Sequence, residues 1–231
     1  MISSLRRKFN TTVFSPIYLD NHLIAVNKPY GTLTQSNVAG GNSLLDQTKA
    51  WLKSQFNKSG NIFLSLVHRL DRPVAGVILF ARTSKAAARL SKQFREKTVV
   101  KVYQAAVLGI PKNKEGQLTT WIRKNPKTGK ATIFPRDTGG AKKAELDYRI
   151  LKIFKEKSIL EIFLRTGRFH QIRAQMGFIK CPVVGDVKYG APQNLPGRHI
   201  ALYASKLEIN HPISGETLIL ESPQPKGWPF I

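Results

Sequence analysis

The chain has one cysteine, Cys181, among its 231 residues. That excludes an internal disulfide framework and the zinc patterns that need several cysteines. Its five histidines are scattered without ligand spacing, so no metal is expected. No apolar run approaches the roughly 18 residues of a membrane-spanning helix, and no basic amphipathic stretch stands apart, so no membrane partner is expected. There is no Gly-x-Gly-x-x-Gly fingerprint and no Walker loop, which leaves no motif for nicotinamide, flavin or ATP. Acids are scarce as well. Fourteen Asp and Glu face thirty-seven Lys and Arg, for a formal net charge of +23. The excess runs through the whole chain instead of forming one tail, so the expected partner is a polyanion bound through salt-sensitive phosphate contacts.

A hydrophobic fraction of 42% supplies material for a real core. Met1 to Lys8 carry Ser and Arg without acid, as organellar presequences do, but the stretch is short. A basic N-terminal extension over residues 1–16, a monomer and a cytoplasmic location are expected. From Ile17 the pattern is dense. Leu23 to Val26 reads as a strand ending in the Pro29 and Gly31 turn, which puts Lys28 on a loop. Leu44 to Phe56 has helical spacing, with Asn42 or Ser43 as N-cap. Ile62 to Val67 and Val77 to Ala81 read as strands flanking a loop from His68 to Gly76. Thr83 opens a helix that places Ala87, Leu90 and Phe94 on one face.

Beyond Thr98 the texture becomes alternating, and Val100 to Ala106 reads as a strand with Lys101 and Tyr103 on one side. Tyr148 to Phe154 and Ile159 to Leu164 form a hairpin by spacing. Phe169 to Met176 reads as a short helix, and Ile200 to Ile209 and Thr217 to Leu220 as strands. Residues 112–143, rich in Lys, Gly and Thr, are expected to be a flexible basic insertion.

The most informative stretch is Val67-His68-Arg69-Leu70-Asp71-Arg72. It places one carboxylate between two guanidiniums just after an apolar segment. Opposite charges nearby favour the ionised carboxylate, which makes Asp71 a poor proton donor but an available nucleophile or electrostatic anchor. On its own, an Asp between arginines at a strand end is more often a structural ion pair.

The surrounding residues change that weighting. His68-Arg69-Leu70-Asp71 followed by Gly76-Val77-Ile78-Leu79-Phe80-Ala81-Arg82-Thr83 resembles the signature of the RluA-type pseudouridine synthases. Asn27-Lys28-Pro29-Tyr30-Gly31 resembles the family's upstream loop, Lys101-Val102-Tyr103-Gln104-Ala105 its Lys-x-Tyr-x-Ala strand, and Thr166 to Arg173 its Thr-Gly-Arg-x-His-Gln-Ile-Arg segment. Pro182 to Asp186 with Tyr189-Gly190, and His211 to Glu216, are similar to the two closing motifs. Six motifs stand in the family's order between about Ile17 and Ile231.

The resemblance implies a single α+β catalytic domain over residues 17–231, with a mixed, mainly antiparallel sheet flanked by helices. It implies an isomerase that converts uridine in structured RNA, rRNA or tRNA, to pseudouridine without a cofactor. Asp71 would be the nucleophile, attacking base C6 or ribose C1′. Arg173 would pair with it, and Tyr103 would pack on the target base. A phenol near pKa 10 is a reluctant base, so stacking is the expected role of Tyr103. Lys28, Arg69, Arg72, Arg168 and His170 are the candidate RNA contacts, with loop ordering the alternative for Lys28 and packing for His170. Phosphate contact is expected of Lys188 also.

Two departures stand out. Val74-Ala75 replaces the family's Thr-Ser before Gly76, and Gln175 replaces a common His. The lost hydroxyls remove local bracing, which Pro73 is expected to supply instead. The rival readings are a catalytically silent RNA-binding or ribosome-assembly protein on the same scaffold and a general basic DNA-binding protein. No DNA-binding pattern supports the second.

Overall fold

The computed structural model describes residues 15–36 and 42–229. Nearly all of the expected basic extension lies outside them.

Eleven strands form one sheet in the order β1-β2-β4-β10-β5-β9-β8-β6-β7, with β3 added to β4 and β11 to β10. They are β1 (Tyr18–Leu19), β2 (Leu23–Lys28), β3 (Ser65–Leu66), β4 (Ala75–Ala81), β5 (Val100–Leu108), β6 (Glu115–Asn125), β7 (Lys130–Phe134), β8 (Lys142–Phe154), β9 (Lys157–Leu164), β10 (Leu202–Asn210) and β11 (Thr217–Glu221). Among the described residues only the β4–β10 contact, at Ala75 and Gly76, is parallel. The expected mixed, mainly antiparallel α+β domain is what forms.

β4 is buried along its whole length, which explains its unbroken apolar run. Helix α1 (Leu44–Gln55) starts at a reciprocal capping box in which the Ser43 hydroxyl meets the Asp46 amide and the Asp46 carboxylate returns to the Ser43 amide. Helix α2 (Ser84–Glu96) is capped by Thr83 and buries Ala86 and Leu90. It packs against β4 and β3. Helix α3 (Gln171–Phe178) lies over β6 and β7, where Ala174 joins Ile122, Ala131 and Ala144 in a small second core.

Several elements differ from expectation. Only Ser65–Leu66 of the apolar run Ile62 to Val67 is strand, because beyond Leu66 the chain leaves the edge of β4 and His68 meets Leu79 through its side chain instead. Residues 112–143 are largely paired strand, β6 and β7, instead of an irregular insertion. Thr120 and Ile122 alternate inward there, a period-2 signal diluted by the Lys and Gly around it. Lys28 is the last residue of β2, opposite Gly76, and not a loop residue.

Candidate active site

The loop from His68 to Val74 joins β3 to β4, and side chains from distant segments fix its course. The Thr34 hydroxyl donates to the Leu70 carbonyl at 2.9 Å and accepts from the Leu70 amide at 3.2 Å. The Gly31 amide donates to the Arg72 carbonyl at 2.9 Å, and the Val74 amide to the Asp71 carbonyl at 3.0 Å. The His68 Nε2 accepts the amide of Leu79 at 2.9 Å. In β4, Leu79 lies between the two residues that β10 reaches and the two that β3 reaches, so the imidazole stands in for a missing strand. Burial, then the charge of Lys101, pushes His68 down to about 4, which keeps the accepting nitrogen unprotonated.

This bracing answers the loss of the Thr-Ser pair. Val74 and Ala75 are buried, at 3% and 2% exposure, and replace hydroxyl bonding with packing. Stiffness comes from Thr34, Gly31 and Lys28 as well as from Pro73. Gly76 follows at φ +118°, and a Cβ there would meet the Ala204 carbonyl oxygen at 2.3 Å. Only glycine permits β10 to approach this close.

Lys28 does not face solvent. It is wholly buried, and its Nζ donates to the carbonyls of Thr32 at 2.7 Å, Pro29 at 3.1 Å and Arg72 at 3.2 Å. Burial pushes it down to about 7, against which three carbonyl acceptors favour the ammonium form. Of the two roles expected of Lys28, ordering the loop fits this position and RNA contact does not. Arg69 and Arg72 are exposed, and the Arg72 Nε donates to the Gly31 carbonyl.

Arg173 enters from the first turn of α3. Its Nη1 donates to Asp71 Oδ2 at 3.1 Å, while its Nε and Nη2 donate to the two oxygens of Asp186 at 2.6 and 2.9 Å. Asp186 is 2% and Arg173 6% exposed. Burial alone would lower the guanidinium, but the bonds and charge of Asp186, then of Asp71, outweigh it and hold Arg173 above its ordinary value. Asp186 therefore aims Arg173, and the third donor is left for Asp71. The sequence pointed to Arg173 but not to its anchor, although Gly185-Asp186 stood in a recognised motif.

The segment before α3 folds back on itself. The Gln171 amide oxygen accepts the Thr166 hydroxyl at 2.7 Å and the Arg168 amide at 3.0 Å. His170 then takes a left-handed turn, φ 53°, which carries its ring toward Asp71, Nε2 to Oδ2 3.5 Å. Its Nδ1 lies 2.8 Å from the Tyr189 hydroxyl, which accepts the Ala131 amide at 2.7 Å. With the Ala131 amide on its oxygen, the phenol is placed to donate to Nδ1 in the tautomer that carries the imidazole proton on Nε2, facing Asp71. Burial, then Arg173 and Lys188, pushes His170 down to about 3. Tyr189 also lies under the Arg173 guanidinium, 5.2 Å from ring centre. Gln175 points away, donating to the Leu118 and Ala144 carbonyls and the Thr120 hydroxyl.

These groups open onto a cavity of about 610 Å³, within the range of small-ligand sites. Asp71 is on its wall with a side chain 28% exposed. Tyr103, on β5, lines it too. Burial, then the charge of Asp71, pushes the Tyr103 phenol upward, so it presents a neutral ring and not a base. Arg69, Arg168 and His170 also reach the cavity; Lys28 and Arg72 do not line it. Among the described residues no three His, Cys, Asp or Glu side chains cluster as metal ligands, and no helix is long and apolar enough to cross a membrane.

A half-open carboxylate held by a buried arginine, beside an aromatic ring in a basic cleft, fits an enzyme that acts on nucleic-acid bases. The comparisons with known proteins narrow that class. The family model described as RNA pseudouridylate synthase matches residues 22–177. The ribosomal large subunit pseudouridine synthase C of Rickettsia conorii is 35% identical over 211 residues, covering 90% of this chain and 67% of that protein. Its counterpart in Rickettsia bellii is 33% identical over 224 residues, covering 96% and 71%. The solved structure of human RNA pseudouridylate synthase domain containing 4 superposes with a TM-score of 0.76 at 26% identity, covering 92% of this chain and 89% of that one. The chain belongs to the RluA-type RNA pseudouridine synthase family, and it is an isomerase acting on RNA.

Proposed function

We propose that Asp71 is the nucleophile of this synthase, that Arg173 is its charge partner, and that Tyr103 is the platform for the target base. The observation that carries this is the 3.1 Å bond from Arg173 Nη1 to the Asp71 carboxylate at the cavity wall. A target uridine leaves its stack and enters the cavity. An Asp71 oxygen attacks at C6 or C1′, the bond between N1 and C1′ breaks, and the base turns. C5 then bonds to C1′, the proton on C5 is lost to N1 or solvent, and Asp71 is released. Atoms balance without redox change, so no cofactor is called for. Arg173 stabilises the carboxylate before attack and on departure. His170 Nε2 stands 3.5 Å from the same Asp71 oxygen that Arg173 holds, which leaves Oδ1 for the attack. Arg69, Arg72 and Arg168 contact RNA phosphates.

The substrate is structured RNA of the translation apparatus, rRNA or tRNA. Similarity to relatives named as large-subunit ribosomal enzymes supports rRNA. The protein works as a monomer in the cytoplasm. Incubation with rRNA and tRNA transcripts, followed by mapping of pseudouridine, tests the reading. Wild type is expected to modify discrete uridines, and Asp71→Asn none while still binding. Full activity of Asp71→Asn would remove Asp71 from the mechanism.

A further inference from the structure

Not every cation of the cavity wall is spoken for. Arg173 is held by Asp186 and Asp71, and Arg165 by Asp147 at 2.5 Å. Lys97, Lys101 and Arg168 also line this wall, and none of them has a carboxylate within ion-pair distance among the described residues. They come from three separate elements. Lys97 is the left-handed cap that ends α2, φ 60°; Lys101 is on β5 two residues before Tyr103; Arg168 is in the segment leading to α3, where its Nε is used on the Lys143 carbonyl at 2.8 Å. Glu145, the acid within electrostatic reach of Lys97, is paired to Lys143 at 2.8 Å. Three like charges gathered from different parts of a fold repel one another, and such an arrangement is stabilised when an anion enters between them.

Lys101 feels this most. It is partly buried, and burial, then the charges of Lys97 and Arg168, pushes it down to about 8. The other ionisable groups lining the cavity are His68, Arg69, Asp71, Arg95, Tyr103, Arg165, His170 and Arg173. Asp71 is the acid among them and is engaged by Arg173.

We propose that Lys97, Lys101 and Arg168 form a phosphate subsite that grips a phosphodiester of the RNA strand next to the uridine in the cavity. The inference rests on the cavity being where the uridine is bound. Tyr103 and Lys101 are on the same side of β5, so one strand presents the platform for the base and the cation for its phosphate. A cation point charge suits a phosphate at variable angle, and a guanidinium with free Nη groups adds directed bonds.

Equilibrium binding of uridine, 5′-uridine monophosphate and the trinucleotide UpUpU to the full chain tests this, with Lys101→Met, Lys101→Arg and, on the remote face of β8, Lys152→Met. At pH 7 the trinucleotide is expected to bind wild type at least about tenfold more tightly than uridine. Lys101→Met is expected to reduce that ratio to about twofold or less, while Lys101→Arg and Lys152→Met retain it. Raising the pH from 7 to 9.5 should erode the ratio for wild type and leave it level for Lys101→Arg, a readout that needs no destabilised variant. A ratio in wild type below about twofold, or one that survives in Lys101→Met, overturns the subsite. So does a gain confined to the monophosphate, which would mark a free nucleotide as the ligand. Because no turnover is needed, a protein that makes no pseudouridine yet shows the Lys101-dependent ratio refutes the proposed chemistry and leaves the subsite standing.

Discussion

Replacing Asp186 by Asn separates the anchoring of Arg173 from the proposed nucleophile itself. The side chain keeps its size and one acceptor but loses its charge and one of two bonds to the guanidinium, at a site where Asp186 and Arg173 are 2% and 6% exposed. Removing one partner of a buried ion pair costs about 3 to 5 kcal/mol, since the remaining charge stays desolvated. Asn retains one bond and Arg173 still has Asp71, so the lower end, about 3 kcal/mol, is expected. For a chain of 231 residues, each kcal/mol shifts Tm by roughly 2 to 4 °C, so the melting point should fall by about 6 to 12 °C. Pseudouridine formation measured well below that melt should show a lower kcat with little change in KM, because Arg173 loses one of its three contacts and the charge that aims it. Thermal denaturation and single-turnover assays on the same preparations supply both numbers. A Tm within about 2 °C of wild type together with an unchanged kcat would refute the claim that Asp186 positions Arg173.

Tyr103→Phe keeps the ring and should retain activity within about tenfold, whereas Tyr103→Ala should lose it by far more; equal losses in a pseudouridine assay would make the hydroxyl essential and contradict the stacking role. Lys28→Met should lower stability, as three carbonyls lose their donor, yet leave the salt dependence of RNA affinity unaltered; a slope reduced by about one would instead make Lys28 a phosphate contact. Acid should weaken the fold through His68, which stays neutral when folded down to about 4 but takes up a proton near 6.5 when unfolded. The contribution is whole above about pH 6.5 and is lost as the pH falls toward 4, amounting to about 2 kcal/mol at pH 5. Urea midpoints at pH 7 and 5 should therefore differ less in His68→Gln than in wild type, and an equal difference in both would discount the imidazole.

Much of the architecture was legible because its signals are local. The Ser43 and Thr83 caps, the buried run of β4, and the hairpin of β8 and β9 are each written within a few residues. What the sequence obscured depends on partners far away. The apolar segment from Ile62 shortens to two strand residues because the chain leaves β4 after Leu66, and no local pattern reports that. Lys28 looked like a loop cation because Pro29 and Gly31 follow it, but it closes β2, and while two of its acceptors, Pro29 and Thr32, are local, the third, Arg72, comes from a distant segment. At the candidate site, motifs pointed to Asp71, Tyr103 and Arg173, which line one cavity. Asp186 and Tyr189 stood in a motif too, yet their roles appear only when α3 and the turn after it close on each other. His68 was visible in the signature next to Asp71, but the gap in the sheet that it fills has no mark in the sequence.

The seating of Gly76 against Ala204 has a consequence in time. The loop bearing Asp71 is made early in synthesis, yet its course is closed from one side by residues near position 30 and from the other by β10, with the Ile200 amide on the Pro73 carbonyl at 3.3 Å. Arg173 likewise arrives a hundred residues after the carboxylate it steadies. A nascent chain therefore holds the nucleophile's sequence long before it holds the nucleophile's geometry. With Asp71 as the proposed nucleophile, a chain stopped short of β10 is expected to be inert.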